Sequence, residues 1–168
     1  IITLRRALSN SRNIPSLKAF QQVDNKKIID LVTTVGIKPE ISNGYIHEAH
    51  SIGAFEGNNS PLTMAGAYQI FSNGGYYYEP YAVNKVVFRN TGEEATYKSE
   101  GKQVMSDSTA YMITYSLKSA VEYGLSSGAR VEGVNVAAKT GTTNYPEDVI
   151  INGGYPTNII NDAWIVGY

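Results

Sequence analysis

A lysine, two hydroxyls and a glycine stand together at Lys139-Thr140-Gly141-Thr142, at the polar end of the run Val134-Asn135-Val136-Ala137-Ala138. β-Branched residues leading into a polar tip describe a strand buried over its inner half and open at its outer edge. The lysine there is a point charge suited to an anion, and Gly141 removes the side chain that would keep another backbone away. Such an edge, with a free peptide N–H, can hold a carboxylate-bearing peptide laid alongside as an extra strand. The plainer reading is a strand end with a solvated lysine. A second polar set, Ser11-Arg12-Asn13, lies in the cluster Ser9-Asn10-Ser11-Arg12-Asn13. Polar residues gather at helix junctions generally, and Asn13 could serve only as a cap. His47-Glu48-Ala49-His50 offers two imidazoles, but no further ligand cluster lies nearby in sequence. They read as loop histidines, and neither a metal nor a cofactor is expected.

The chain has 168 residues, enough for one ordinary domain or part of one. Lys+Arg 14 against Asp+Glu 15 leaves a net charge of −1 with no basic block, which argues against a nucleic-acid surface. The absence of cysteine excludes disulfides and thiolate metal sites. No apolar run approaches the roughly 18 residues that a membrane span needs. The opening Ile1-Ile2-Thr3-Leu4 shows no signal-peptide pattern and starts mid-pattern, as a piece of something larger would.

The elements that must position these residues can be read in order. Thr3 caps a short helix with Leu4, Ala7 and Leu8 on one face. After the polar cluster, Ile14 is expected to be extended because it precedes Pro15, which would start a second helix burying Leu17 and Phe20. A third runs from about Lys26 and stops at Gly36. Residues 37–60 read as irregular, punctuated by Pro39, Gly44, Gly53, Gly57 and Asn58-Asn59. Ser60-Pro61 opens a helix carrying Met64, Ala67, Tyr68 and Phe71, closed by Asn73-Gly74-Gly75 and followed by the extended step Tyr76-Tyr77-Tyr78. Val83–Phe88 and Ala95–Lys98 form a peripheral hairpin. Ser106 or Asp107 caps a long helix with Ile113, Leu117, Ala120 and Val121 inward, ending at Gly124. The Gly/Ser-rich linker Leu125–Gly133 feeds the lysine strand. A long loop, Thr143–Asp162, separates it from a partner strand over Ala163–Tyr168.

Ser11-Arg12-Asn13 is the only Ser-x-Asn and Lys139-Thr140-Gly141 the only Lys-Thr-Gly in the chain. In that order they resemble two of the three motifs of the serine penicillin-recognising enzymes. Leu8–Pro15, Pro61–Tyr68, Phe71–Gly75 and Asp162–Tyr168 are similar to class A (bifunctional) penicillin-binding proteins, so the resemblance covers essentially the whole chain. Two departures stand out. The family's nucleophile lies in a Ser-x-x-Lys motif upstream of Ser-x-Asn, and the residues before Ser11 contain none. The one formal match, Ser99-Glu100-Gly101-Lys102, falls downstream in a glycine-bearing turn and reads as coincidence. Ala138 also stands where the family commonly has glycine.

The resemblance implies an α/β (α+β) fold: a central antiparallel sheet flanked by helices, incomplete, with residues 1–75 a mainly helical subdomain and residues 76–168 the hairpin, long helix and sheet strands. It implies a C-terminal part of a peptidoglycan D,D-transpeptidase domain without its nucleophile segment, inactive in isolation. The partners would be stem peptides ending in D-Ala-D-Ala, amine acceptors, β-lactams and the upstream segment of the same protein. The parent would also carry a glycosyltransferase and be anchored at the outer face of the bacterial cytoplasmic membrane. Lys139 and Ser11 would relay protons, and Asn13 would hold the donor backbone. Thr140 and Thr142 would bind the terminal carboxylate, Gly141 would allow close approach, and the Thr142 N–H would join the oxyanion hole. A D,D-carboxypeptidase, a β-lactamase and a non-catalytic β-lactam- or peptide-binding module are the alternatives.

Overall fold

The computed structural model describes residues 1–54 and 59–168. Gly57 and Asn58, read above as loop punctuation, lie outside the described residues. Four helices come first: α1 (Leu4–Ser9), α2 (Asn13–Phe20), α3 (Asn25–Thr34) and α4 (Pro61–Ser72). Three of the four start at a side-chain cap. Thr3 accepts the Arg6 N–H, Asp24 accepts the Lys27 N–H, and Ser60 accepts the Thr63 N–H with Pro61 in the first turn. α3 ends at Gly36, whose φ of +82° suits a residue without a β-carbon. A short 3₁₀ helix, Glu48–Ile52, and an isolated Ser42–Tyr45 bridge lie in the segment expected to be irregular.

Ile14 departs from expectation: it lies inside α2, because Arg12 takes the extended backbone instead (φ −80°, ψ 118°). Pro15 then occupies the first turn, where its missing N–H costs no helical bond. Asn13 is accordingly the first helical residue and not the cap.

The remaining elements are β1 (Tyr76–Tyr77), β2 (Lys85–Val87), β3 (Glu94–Thr96), β4 (Lys102–Gln103), α5 (Asp107–Tyr123), β5 (Ala138–Asn144), α6 (Glu147–Gly153) and β6 (Ile160–Gly167). The strands form three separate antiparallel pairs, β1–β4, β2–β3 and β5–β6, so the sheet is incomplete among the described residues. β5 begins at Ala138, not Val134, which is exposed in a turn; β6 begins at Ile160, earlier than Ala163. The connection between them is not an open loop. It contains α6, with acidic Glu147 and Asp148 in its first turn and Ile150 buried beneath it.

α5 is the central support. Ser106 accepts the Thr109 N–H at its start, and Ala110, Leu117, Ala120 and Val121 are buried along one side. It packs against α1, α4 and β5. Thr114 Oγ1 donates to Phe71 O at 2.9 Å and lies 2.6 Å from Tyr168 Oη, joining α5 to the ends of α4 and β6. A second core forms where Val35, Ala67 and Ile70 meet, covered by Ile37, Phe71, Tyr77, Val104 and Met105. The β2–β3 hairpin is exposed throughout.

Candidate active site

α1 ends in a reverse turn made by its own backbone. The Ser11 N–H donates to Leu8 O at 3.0 Å and the Arg12 N–H to Ala7 O at 2.9 Å, the two bonds of a Schellman closure. The residue that must turn left-handed is Ser11, at φ 48°. Its hydroxyl is thereby carried off the helix end, and α2 starts two residues later with Asn13 exposed in its first turn. The Asn13 side chain makes no hydrogen bond among the described residues.

β5 brings the lysine to that turn. Burial falls along the strand from Ala137 and Ala138, each 2 % exposed, through half-buried Lys139 and Thr140 to exposed Gly141 and Thr142. Lys139 Nζ donates to Ser11 Oγ at 2.9 Å and to Thr140 O at 2.7 Å. Residues far apart in sequence thus meet as one polar pair. Ser11 accepts from the ammonium, so its own proton is free to be donated onward. Burial lowers the Lys139 pKa below its ordinary 10.5. No carboxylate pairs with this lysine among the described residues, where the salt bridges are Lys26–Asp30 and Lys85–Glu94. A half-buried cation left without a counter-ion is poised for an anion brought from outside.

The ladder fixes which backbone groups of β5 face outward. Ala137 and Tyr168 exchange both N–H···O bonds, at 2.9 and 3.0 Å. In the register that follows, Lys139, Gly141 and Thr143 bond toward Val166, Trp164 and Asp162, while Thr140 and Thr142 turn their N–H and C=O to the open edge. The Thr142 N–H therefore stands on the edge, beside the lysine–serine pair, and Gly141 places no side chain between them. Thr140 is half-buried behind it.

Three residues that hold this arrangement were not singled out from sequence: Ser9, Gly124 and Ser126. Ser9 is fully buried, donates from Oγ to Arg5 O at 2.8 Å and accepts the Leu125 N–H at 3.0 Å. Gly124 lies so close that a β-carbon would run into Ser9 O. Ser126, 1 % exposed, accepts the Thr140 N–H at 3.2 Å. Together they tie the end of α1, the end of α5 and the start of the site strand. Gly124 was legible only as a helix stop, and Ser126 was hidden in a Gly/Ser-rich linker.

The other candidates fall elsewhere. Ser99 is buried in a segment without regular secondary structure, and Lys102 lies exposed in β4, so that Ser-x-x-Lys match opens no helix. His47 caps the 3₁₀ turn, and its carbonyl lies 3.0 Å from His50 Nδ1. No group of three or more metal-ligating side chains assembles among the described residues.

The chain is similar along its whole length to known proteins. The chain is 44% identical over 169 residues to penicillin-binding protein 1A/1B of Bacillus subtilis, covering 99% of this chain and 18% of that protein. It is 36% identical over 158 residues to penicillin-binding protein 1A of Streptococcus pneumoniae, covering 90% and 21%. Among solved structures, the penicillin-binding protein PonA1 from Mycobacterium tuberculosis superposes with a TM-score of 0.78 at 24% identity, over 99% of this chain and 44% of that one. The D,D-transpeptidase domain from Eggerthella lenta superposes with a TM-score of 0.70 at 22% identity, over 99% and 45%. The chain thus spans about a fifth of the length of these curated relatives. A family model described as the penicillin binding protein transpeptidase domain matches residues 1–168, and the chain belongs to that family.

Proposed function

We propose that residues 1–168 form the relay and substrate-strand half of a peptidoglycan D,D-transpeptidase site, within one transpeptidase domain of a larger protein. The observation that carries the reading is the Lys139 Nζ–Ser11 Oγ contact of 2.9 Å beside the open edge of β5. The acylated serine belongs to chain outside these residues, because Ser99, the one serine here in a Ser-x-x-Lys, is buried and opens no helix.

In this reading the serine oxygen attacks the carbonyl of the penultimate D-alanine of a stem peptide. The serine hydroxyl gives its proton to a base on its own segment, and a carbon–oxygen bond forms. The peptide C–N bond breaks, and the departing D-alanine amine takes a proton. Ser11 gives that proton while accepting one from Lys139, an acid chain whose length is one hydroxyl. The net transfer is one proton from serine to amine, and Lys139 is recharged by the proton the serine lost. The Thr142 N–H and the serine's own N–H hold the developing oxyanion; a donor in such a place contributes roughly 3 kcal/mol. Asn13 bonds the donor backbone, and Thr142, with Thr140 behind it, receives the terminal carboxylate near the Lys139 charge. An acceptor amine then attacks the acyl ester, returning the serine. Penicillin binding protein 3 of Mycobacterium tuberculosis has been solved with ampicillin and with aztreonam. β-Lactams would enter the present site by the same acylation. Among the described residues no helix is long and apolar enough to cross a membrane. Any anchor at the outer face of the cytoplasmic membrane would come from other parts of the protein.

The test is the fate of a labelled penicillin on the full-length protein. A long-lived covalent adduct is expected. Rapid hydrolysis would make it a β-lactamase, and no adduct would leave a binding module.

A further inference from the structure

A strand edge offers equivalent seats to an incoming peptide at every second residue, because only alternate residues turn their N–H and C=O outward. On the open edge of β5 the seats are not equivalent. Thr140 already spends both groups: its N–H goes to Ser126 Oγ at 3.2 Å and its C=O to Lys139 Nζ at 2.7 Å. Thr142 is the next residue whose groups face outward, and among the described residues nothing bonds to its N–H or C=O. The Ser126 hydroxyl cannot swing away freely. Its residue is 1 % exposed, and its own N–H closes on Ala120 O at 3.0 Å, so the end of α5 holds it in place.

We propose that Ser126 is a positioning residue that sets the register in which an extended acyl donor pairs with β5. By occupying the Thr140 N–H, it makes the Thr142 N–H the first donor that the incoming chain meets. The inference rests on the transpeptidase reading above and adds to it a residue outside the motifs. Adjacent seats are about 7 Å apart, at roughly 3.4 Å per residue. A donor slipped by one seat would carry its scissile carbonyl away from the Thr142 N–H and its departing amine beyond the reach of the Ser11 hydroxyl. Closing the wrong seat therefore protects turnover more than it adds affinity. Removing the hydroxyl opens a second, unproductive register. Unproductive binding lowers kcat and KM together and leaves kcat/KM nearly unchanged.

Two measurements on the full-length protein test this. In the wild type, amide exchange should find the Thr140 N–H protected before any donor is added. The Thr142 N–H should become protected only after acylation by a labelled penicillin or a stem-peptide thioester. Fast exchange at Thr140 in the free protein would overturn the proposal without any variant. In Ser126→Ala, kcat and KM for an extended stem-peptide donor should each fall about fivefold. The rate of acylation by a small penicillin, which does not span the edge, should stay within twofold of wild type. A fall in kcat/KM for the extended donor, matched by an equal fall in penicillin acylation, would show a scaffold role and sink the idea. The underlying reading fails differently: a wild-type protein that turns over no D-Ala-D-Ala donor and takes no penicillin, while Thr140 stays protected, removes both.

Discussion

Ser11 sits in left-handed backbone at φ 48°, which costs a residue with a β-carbon roughly 1–2 kcal/mol. Glycine is the easy residue for that position, yet glycine would bring no hydroxyl to Lys139. Local strain and chemistry thus coincide on one residue, as they do at functional sites. Replacing Lys139 by alanine in the full-length protein should slow penicillin acylation at least a hundredfold, about 2.7 kcal/mol of barrier, with the thermal midpoint little changed. Acylation near the wild-type rate in a folded variant would remove the lysine from the mechanism. Its pH behaviour follows from burial. The folded pKa lies below the unfolded 10.5, so the charge costs stability at neutral pH, and that cost fades as pH rises through the folded pKa. The cation that the proposed relay needs is lost over the same interval. Acylation should therefore show an alkaline limb below pH 10.5, absent from Lys139→Ala. The two tripeptides were legible because their residue types announce chemistry. The φ of Ser11 and the hydroxyl of Ser126 were not, since neither a dihedral nor a long-range bond leaves a mark on composition.

Elements explain how the pair is held. α1, α5 and β5 converge where Ser9 accepts the Leu125 N–H and Gly124 passes against the Ser9 carbonyl. Gly124→Ala would press a methyl into backbone that has nowhere to move, a conflict of roughly 1–3 kcal/mol or more. Its thermal midpoint should fall by several degrees and acylation should fall with it. Gly128→Ala, with nothing within 4 Å, should change neither. Equal behaviour of the two variants would mean that this junction does not position the site. Helix starts were readable from Thr3, Ser60 and Ser106, whose hydroxyls each take a first-turn N–H. The pre-proline rule misplaced Ile14 because it is a bias that a first helical turn can absorb. α6 was missed although Pro146, Glu147, Asp148 and Gly154 mark its ends, because its apolar run, Val149-Ile150-Ile151, is too short for periodicity to show.

For the whole molecule, the pairing of β5 with β6 could be foreseen from two apolar runs flanking a long connection, but the open edge of β5 could not. A two-stranded ladder is marginal alone, and here α4 and α5 cover it. That frame presents a hydrogen-bonded lysine–serine pair, an outward-facing Thr142 N–H and an exposed Asn13. In the proposed site these residues serve a serine supplied by other parts of the protein. Peptide mapping of the penicillin adduct on the full-length protein decides this. The label should sit on a serine outside residues 1–168, within a Ser-x-x-Lys that opens a helix. A covalent adduct on Ser11 or Ser99 would place the nucleophile inside these residues and overturn the proposed division of the site.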